Sequence, residues 1–420
     1  MLFSGHYHWV IAFCCFLLVF CNVGLPSTSF NVYQPYIVAL PGVGDSAGSI
    51  VITVRTFMSL LCMFAVARYY ELLDCRLGAA IASCFTVACL LLFGFADTFP
   101  LLCVASALGG VGYGLGGMVC TTYLINRWFK TDVGTAVGLA AVGSGVSSIV
   151  IPVCAEWVIR TFSLSISFWA EALLAAVIGA VVFALLRNKP SDLGMEPYVN
   201  PKWIAKHQDD VVHRNDGVDV PVDHGVSLPA GPKRAFILVT MIVGASCVSS
   251  ANFLGVFLVS GGYDHTFAAL MLSVCGLVLT IGKFGMGRIF DGLGGLRGSV
   301  IALVTFISGM TLLCMGVAGN VMLIWAGTIV FSFGLAIGST GIPIWSLHFS
   351  TPNERVKTVR TFQLGYAAGS FMFTMVPGVL KDIMGSYVVS YVIMVAMMAV
   401  ALAIIVVVYV KYRQPNASAS

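Results

Sequence analysis

The sequence predicts an all-α integral membrane protein of twelve transmembrane helices arranged in two six-helix bundles. Three observations predict it. Apolar stretches of about 20 residues, the length an α-helix needs to cross a hydrocarbon layer of ~30 Å, recur twelve times along the 420 residues. One polar gap, residues 188–232, divides them six and six. Composition agrees: 59% of residues are hydrophobic, 10% are charged and the mean hydropathy is +0.96, whereas a soluble domain carries about 25% charged residues. The alternation typical of barrel strands is absent. Lipid satisfies no backbone polar group, so helices are the spanning option that remains.

The expected spans are 9–32, 46–68, 77–96, 100–126, 134–158, 165–187, 235–259, 266–288, 299–318, 321–347, 359–380 and 386–410. They give an N-terminal bundle over 1–187, a cytoplasmic linker over 188–232, a C-terminal bundle over 233–413 and a tail over 414–420. The first span is too long for a signal-peptide core, lacks a basic flank and is followed by eleven more. The 45 glycines suit closely approaching membrane helices. The 13 cysteines fall almost entirely inside apolar runs, so they read as small packing residues, with neither disulfides nor a metal site. Within the linker, residues 207–232 mix His, Asp, Val, Gly and Pro without a sustained period, as a mobile tether does.

Lysine and arginine set the orientation. With the N-terminus inside, 18 of the 22 fall on cytoplasmic segments, and only Arg160 and Lys381 lie outside. Both termini are therefore expected in the cytoplasm. The formal net charge of +4 reports this topology and not an affinity for nucleic acid. The Asn416 sequon falls on the cytoplasmic side and carries no meaning there.

The halves echo each other. After the second span, Arg68, Glu71 and Arg76 stand in a short loop; after the eighth, Gly287, Arg288, Asp291, Gly294 and Arg297 do. Gly143-Ser144 precedes Pro152 in the fifth span as Gly369-Ser370 precedes Pro377 in the eleventh. Matches at corresponding places in a six-plus-six layout indicate two repeats, as in alternating-access transporters. On these residues the chain resembles the major facilitator superfamily, whose inter-helix motif the two loops match. The second copy is better kept; the first has Tyr69, Tyr70 and Cys75 where small residues are usual.

Three stretches resemble a narrower branch, the monocarboxylate transporters and oxalate–formate exchangers: Asn126-Arg127-Trp128-Phe129 leading into Gly134–Gly145, Arg187–Gly194 after the sixth span, and Asp382-Ile383-Met384-Gly385-Ser386-Tyr387 entering the twelfth. That resemblance implies a cationic side chain on the eighth helix holding a substrate carboxylate. Lys283 takes its place, with Met286-Gly287 and Asp291 matching the pattern around it. The acid four residues earlier, tied in that branch to proton coupling, is here Leu279. The first helix lacks the lysine of the branch, and the eleventh span has no charge between Thr361 and Leu380, which argues against oxalate–formate exchange itself.

Two cations stand within apolar spans, Arg55 and Lys283. Arg55 lies about nine residues, or ~13 Å at 1.5 Å per residue, into the second span. An unpaired cation near the bilayer centre costs about 2.5–3.5 kcal/mol, so each needs a partner or a ligand, and an anionic substrate is the simplest. Snorkelling or structural pairing is the alternative for both. Thr280, Gly276 and Gly287 share the face of Lys283 and leave a slot beside it. Glu156 and Arg160, four apart at a helix end, are expected to pair.

Gly109–Gly117 reads as close helix packing, since no strand precedes it and no Lys-Ser/Thr follows; Tyr113 within it is a candidate pathway residue. Pro26, Pro152, Pro343 and Pro377 interrupt four spans as bends or hinges. In the superfamily's layout Asn31, Tyr33, Asn252, Gln363 and Tyr366 fall on cavity-lining spans. Trp345 and His348 approach the cytoplasmic end of theirs, where an interfacial belt accounts for them.

No catalytic constellation, cofactor motif or metal set is found, so an enzyme is not expected. The expected function is secondary active transport of a small organic anion, a mono- or dicarboxylate, by alternating access. Alternatives are a neutral or cationic solute (a drug or nucleoside) on the same fold, or a membrane sensor that binds without transporting. Expected partners are the lipid bilayer, the substrate and a coupling ion, H+ or an exchanged anion. Glu171 is the candidate carboxylate for proton coupling. A monomer in a bacterial cytoplasmic membrane is expected.

Overall fold

The computed structural model describes residues 7–199, 227–351 and 354–412. The expected tether at 207–232 lies outside them except for its last six residues, and the tail 414–420 lies outside entirely.

The described residues are almost all helical, and the only pairing of extended backbone among them is a bridge between Phe129 and Tyr198. It begins with α1 (Tyr7–Val19), which runs into a π-helical segment (Phe20–Thr28) and a 3-10 turn (Phe30–Val32). There follow α2 (Gln34–Val38), α3 (Gly44–Leu72), α4 (Cys75–Phe95), α5 (Phe99–Gly116), α6 (Met118–Trp128), α7 (Val133–Thr161) and α8 (Leu164–Leu185). After the linker come α9 (Ala230–Ser260), α10 (His265–Gly316), α11 (Val321–Leu335), α12 (Ile337–His348), α13 (Arg355–Thr374), α14 (Val376–Met384) and α15 (Val388–Tyr412).

Local chemistry fixes several boundaries. Ser163, Asp264 and Asn320 accept backbone N–H bonds from Ile166, Thr266 and Met322 at 3.2, 3.1 and 3.1 Å, and so satisfy orphan donors at the starts of α8, α10 and α11. Gly385 ends α14 with φ 76°, a left-handed conformation that suits glycine.

Among the described residues, ten helical stretches are long and apolar enough to cross a membrane. The expected eighth and ninth spans both lie within α10, whose helical path breaks at Gly294 (φ 79°, ψ 171°). The eleventh divides between α13 and α14, where Pro377 occupies the first turn of the second helix. Large apolar side chains such as Phe64, Phe95, Leu173, Phe284 and Val407 face outward, as lipid permits.

Two compact units emerge. Unit 1 comprises Met1–Phe30, Val54–Ile151 and Trp157–Val222; unit 2 comprises Asn31–Thr53, Pro152–Glu156 and Asp223–Ser420. In unit 1, α4 packs on α5 and α8. In unit 2, α9 packs on α13, and α10 on α11. The α9–α13 contact is made at backbone distance: a Cβ on Gly244 would overlap the Tyr366 carbonyl, and one on Gly369 the Met241 carbonyl. Close backbone approach of this kind holds membrane helices together where no hydrophobic driving force exists between them. All thirteen cysteines are free; Cys84 and Cys154 are exposed, and most others are buried.

Candidate functional site

In unit 1 the interior is organised around the broken first helix. Over Phe20–Thr28 the backbone widens to a π-helix containing Pro26, with the Ser29 N–H donating to the Gly24 carbonyl at 2.9 Å. Such a widening leaves backbone groups to be satisfied from outside and is frequent at functional sites. Neighbouring helices supply the partners. Arg55 on α3 donates from Nη1 to the Pro26 carbonyl at 2.5 Å, and its guanidinium lies 5.3 Å from the centre of the Phe30 ring. Thr86 on α4 donates to Asn22 Oδ1 at 2.7 Å, and Asn22 Nδ2 donates to Ser83 Oγ at 3.3 Å. The hydroxyls of Ser29 and Ser147 share a bond of 2.7 Å.

Arg55 is thus 5% exposed, bonded to a backbone carbonyl and stacked over a ring, with no carboxylate partner among the described residues. Its titratable neighbours are Cys89 and Tyr113. Tyr113 is half-buried on α5. Glu171, on α8, is buried.

In unit 2 the second cation is placed differently. Lys283 stands half-buried on α10 between the outward-facing Ile281 and Phe284, and its ammonium makes no hydrogen bond or ion pair with a described residue. At Gly287, one turn further along the helix, a Cβ would meet nothing within 4 Å. Thr280 does not serve it, because its hydroxyl donates to the Gly276 carbonyl of its own helix at 2.7 Å.

The other expected residues of unit 2 divide by exposure. Asn252 is buried on α9, a helix that also buries Ser246 and Ser249 with hydroxyls unbonded among the described residues. Asn31 donates from Nδ2 to the Ala251 carbonyl at 3.0 Å, while its Oδ1 is left unbonded. Tyr33 is fully buried. Tyr366 is half-buried, with its hydroxyl against Gly338, and Gln363 is exposed.

Sequence reasoning did not single out Ser246, Ser249 or Gln34, which is 1% exposed with both amide atoms unbonded among the described residues. Small and amide side chains in an apolar run are compatible with either packing or lining, so no pattern singles them out. Trp345 corrects an expectation: it is fully buried and donates from Nε1 to Ser299 Oγ at 2.8 Å, so it is no interfacial residue. A buried indole needs a partner for its N–H, and the neighbouring α10 provides one. Beside it, His348 Nδ1 is bonded to the Tyr409 hydroxyl at 2.9 Å. Glu156 is buried and accepts from the Tyr36 hydroxyl at 2.8 Å.

Of the two charged loops, only Arg76 is engaged: its backbone N–H donates to Asn188 Oδ1 at 3.0 Å, its Nε to the Phe183 carbonyl at 2.6 Å, and its guanidinium stacks 4.2 Å from that ring. Arg68, Glu71, Arg288, Asp291 and Arg297 are exposed and form no bond among the described residues. The stretch Arg187–Gly194 forms a short strap below α8. The Lys189 N–H donates to Asp192 Oδ2 at 3.0 Å across a 3-10 turn, Gly194 closes it with φ 66°, and the Tyr198 N–H donates to the Trp128 carbonyl at 2.8 Å.

Comparison with known proteins gives the site its context. The model of the Major Facilitator Superfamily matches residues 10–374. Monocarboxylate transporter 13 of Rattus norvegicus is 25% identical over 317 residues, 72% of this chain; the chain spans 66% of that relative's length. The MFS-type transporter hasB of Aspergillus fumigatus is 24% identical over 399 residues, 91% of this chain and 84% of its own. Among solved structures, the nucleoside transporter NupG superimposes with a TM-score of 0.70 over 96% of this chain and 99% of its own, at 15% identity. Identity that low speaks for the fold alone.

Proposed function

Because the chain belongs to the major facilitator superfamily and is a multi-pass secondary transporter, not an enzyme, we propose that its solute is a small organic anion, a mono- or dicarboxylate, held by Lys283. The observation that carries this reading is the state of that lysine: an ammonium within an apolar span, one turn from open space at Gly287 and without a partner among the described residues. An unpaired charge at membrane depth costs about 2.5–3.5 kcal/mol. A substrate carboxylate is the counter-charge that repays this cost. Lysine offers a point charge instead of a bidentate fork, so orientation falls to the surrounding polar groups, with Asn252, Ser246 and Ser249 on α9 as candidates. The likeness to a monocarboxylate transporter supports the same class.

In this reading the halves 1–187 and 233–413 rock about a midplane site, and the coupling ion is a proton or an exchanged anion. The bias of Lys and Arg supports cytoplasmic termini. The relatives come from an animal and a fungus, so they lend no support to a bacterial membrane. The protein works as a monomer. Arg55 supplies field more than contact, since Pro26 already holds it.

The test is thermal stabilisation of the purified protein by lactate, pyruvate, oxalate and succinate, with uridine and xylose as neutral controls. Stabilisation by an acid that disappears in Lys283→Ala places the carboxylate on that lysine. Stabilisation by a neutral solute, retained in Lys283→Ala, replaces the anion reading with the neutral one.

A further inference from the structure

We propose that the groove between α10 and α15 is a binding site for an anionic phospholipid, with an acyl chain along its apolar wall and the phosphate on Arg297. The groove lies wholly within unit 2. It shares no residue with the solute site proposed around Lys283, and neither that lysine nor the identity of the solute enters the inference.

α10 packs on α15, and between them opens a cavity of about 370 Å³. Its walls are Leu293, Leu296, Val300 and Ile301 of α10 and Val406 of α15, and Arg297 is the one charged side chain among the described lining residues. The groove begins where the helical path of α10 breaks at Gly294. Beyond the break, Leu296 and Val300 form one i, i+4 row and Arg297 and Ile301 the next, so the four make a single stripe on the new arm.

The lining decides what fills the space. An ordered water needs several polar partners, and this lining offers one guanidinium, so hydrocarbon is the better filler. The groove is open: Leu293 and Arg297 are exposed, and Leu296, Val300, Ile301 and Val406 are half-buried. On the outside of a membrane-spanning chain, the hydrocarbon at hand is an acyl chain. Depth agrees. Val406 stands ~9 Å, at 1.5 Å per residue, before the end of α15 at Tyr412. There Lys411 lies over the Tyr412 ring, 5.7 Å from its centre, and tyrosine is common at the membrane interface.

Arg297 selects the headgroup. It lines the groove yet is exposed, as a long cation is when its stem covers apolar surface and its head reaches the headgroup layer. Its paired N–H donors suit a phosphate. The second arm of α10 starts beside it, so the positive end of that helix adds to the same field. No carboxylate is among the described lining residues, so nothing answers the ammonium of a zwitterionic lipid. Basic pockets between membrane helices bind anionic headgroups for these reasons.

The experiment strips co-purified lipid from the full chain in detergent and measures lipid binding by native mass spectrometry. Dioleoyl phosphatidylglycerol is the probe, and dioleoyl phosphatidylcholine is the control of equal chain length. The parent is expected to bind the probe more tightly than the control. Arg297→Gln should weaken the probe about tenfold or more, the worth of a hydrogen bond to a charged group, and bring the two lipids level. Val300→Phe, which fills the groove with a ring and keeps Arg297, should weaken both. Probe binding as tight in Arg297→Gln as in the parent overturns the proposal. An equal loss in Arg288→Gln also overturns it, because it reports surface charge in general. Displacement of the probe by glycerol 3-phosphate, which has no chains, would make the site one for a soluble anion. A parent that binds neither lipid, or that appears as a dimer with the groove covered, leaves no lipid site.

Discussion

Replacing Lys283 by methionine separates a lysine that serves a ligand from one that serves the fold. Methionine keeps most of the unbranched stem and discards the ammonium. No bond to a described residue is lost with it, and Gly287 leaves open space one turn along the helix. A lysine at the centre of a span costs about 2.5–3.5 kcal/mol. Lys283 is half-buried and its stem relieves part of that by snorkelling, so about 1–2 kcal/mol should be returned by the substitution. A change of 1 kcal/mol moves the melting temperature by ~2–4 °C in chains of 150–250 residues and by less in longer ones. The ligand-free variant should therefore melt slightly above the parent. An acid at 100 times its Kd adds about 2.7 kcal/mol to whichever protein binds it, so with acid present the order reverses and the parent melts higher. Thermal unfolding of both proteins in the same detergent, with and without the acid, reads all four values. A ligand-free Lys283→Met that melts well below the parent would refute the reasoning, because a lysine whose removal destabilises the empty protein is part of the fold.

Arg55→Met should change stability by no more than about 2.5 kcal/mol in either direction, since the bond to Pro26 and the contact with Phe30 are worth together about 2–5 kcal/mol and relief of the buried charge offsets about 2.5–3.5 kcal/mol. Its effect should appear in amide hydrogen exchange, which speeds up over residues 20–28 because the π-helical segment has lost its brace. Gly244→Ala and Gly369→Ala should each destabilise by about 1–3 kcal/mol, the cost of overpacking, because a Cβ at either position meets backbone carbonyl that has no rotamer to yield. Thermal unfolding of the two variants checks this, and an unchanged melting temperature in both would contradict the α9–α13 packing.

Which features were legible in the sequence follows from how each is encoded. The spans were legible because the hydrophobicity of a crossing helix is a property of the segment itself. The eleventh lost its clean outline because Pro377 restarts the helix at α14, and Arg355, Lys357 and Arg360 lower the apolarity of α13. The two intramembrane cations were legible for the converse reason, as charges where none is expected. Their partners were not. Arg55 finds a backbone carbonyl 29 residues away, and a carbonyl has no signature in sequence. The π-helical widening at Phe20–Thr28 depends on Asn22 meeting Thr86 and Ser83 on another helix, a tertiary contact that no local pattern announces. The Asp382–Tyr387 turn was visible as a likeness, but its contact with Asp45 joins residues 342 apart.

The unequal state of the two cations bears on how transport would be coupled. Arg55 has its charge spread over a carbonyl and a ring wherever α3 and the first helix move together. Lys283 has no such cover, so an empty carrier must pass through its occluded state with a desolvated ammonium, while a loaded one passes through as an ion pair. The barrier to reorientation should be lower for the loaded form by part of the cost of the unpaired charge, about 1–2 kcal/mol after the same allowance for snorkelling, which is roughly a five- to thirtyfold difference in rate. Labelled acid should then equilibrate across vesicles preloaded with the same unlabelled acid faster than it enters empty vesicles. Lys283→Met, where the empty form carries no such charge, should lose that difference along with its affinity for the acid. Counterflow no faster than net uptake in the parent would mean that a proton or another ion neutralises the empty site, and that Lys283 titrates or finds a partner during the return step.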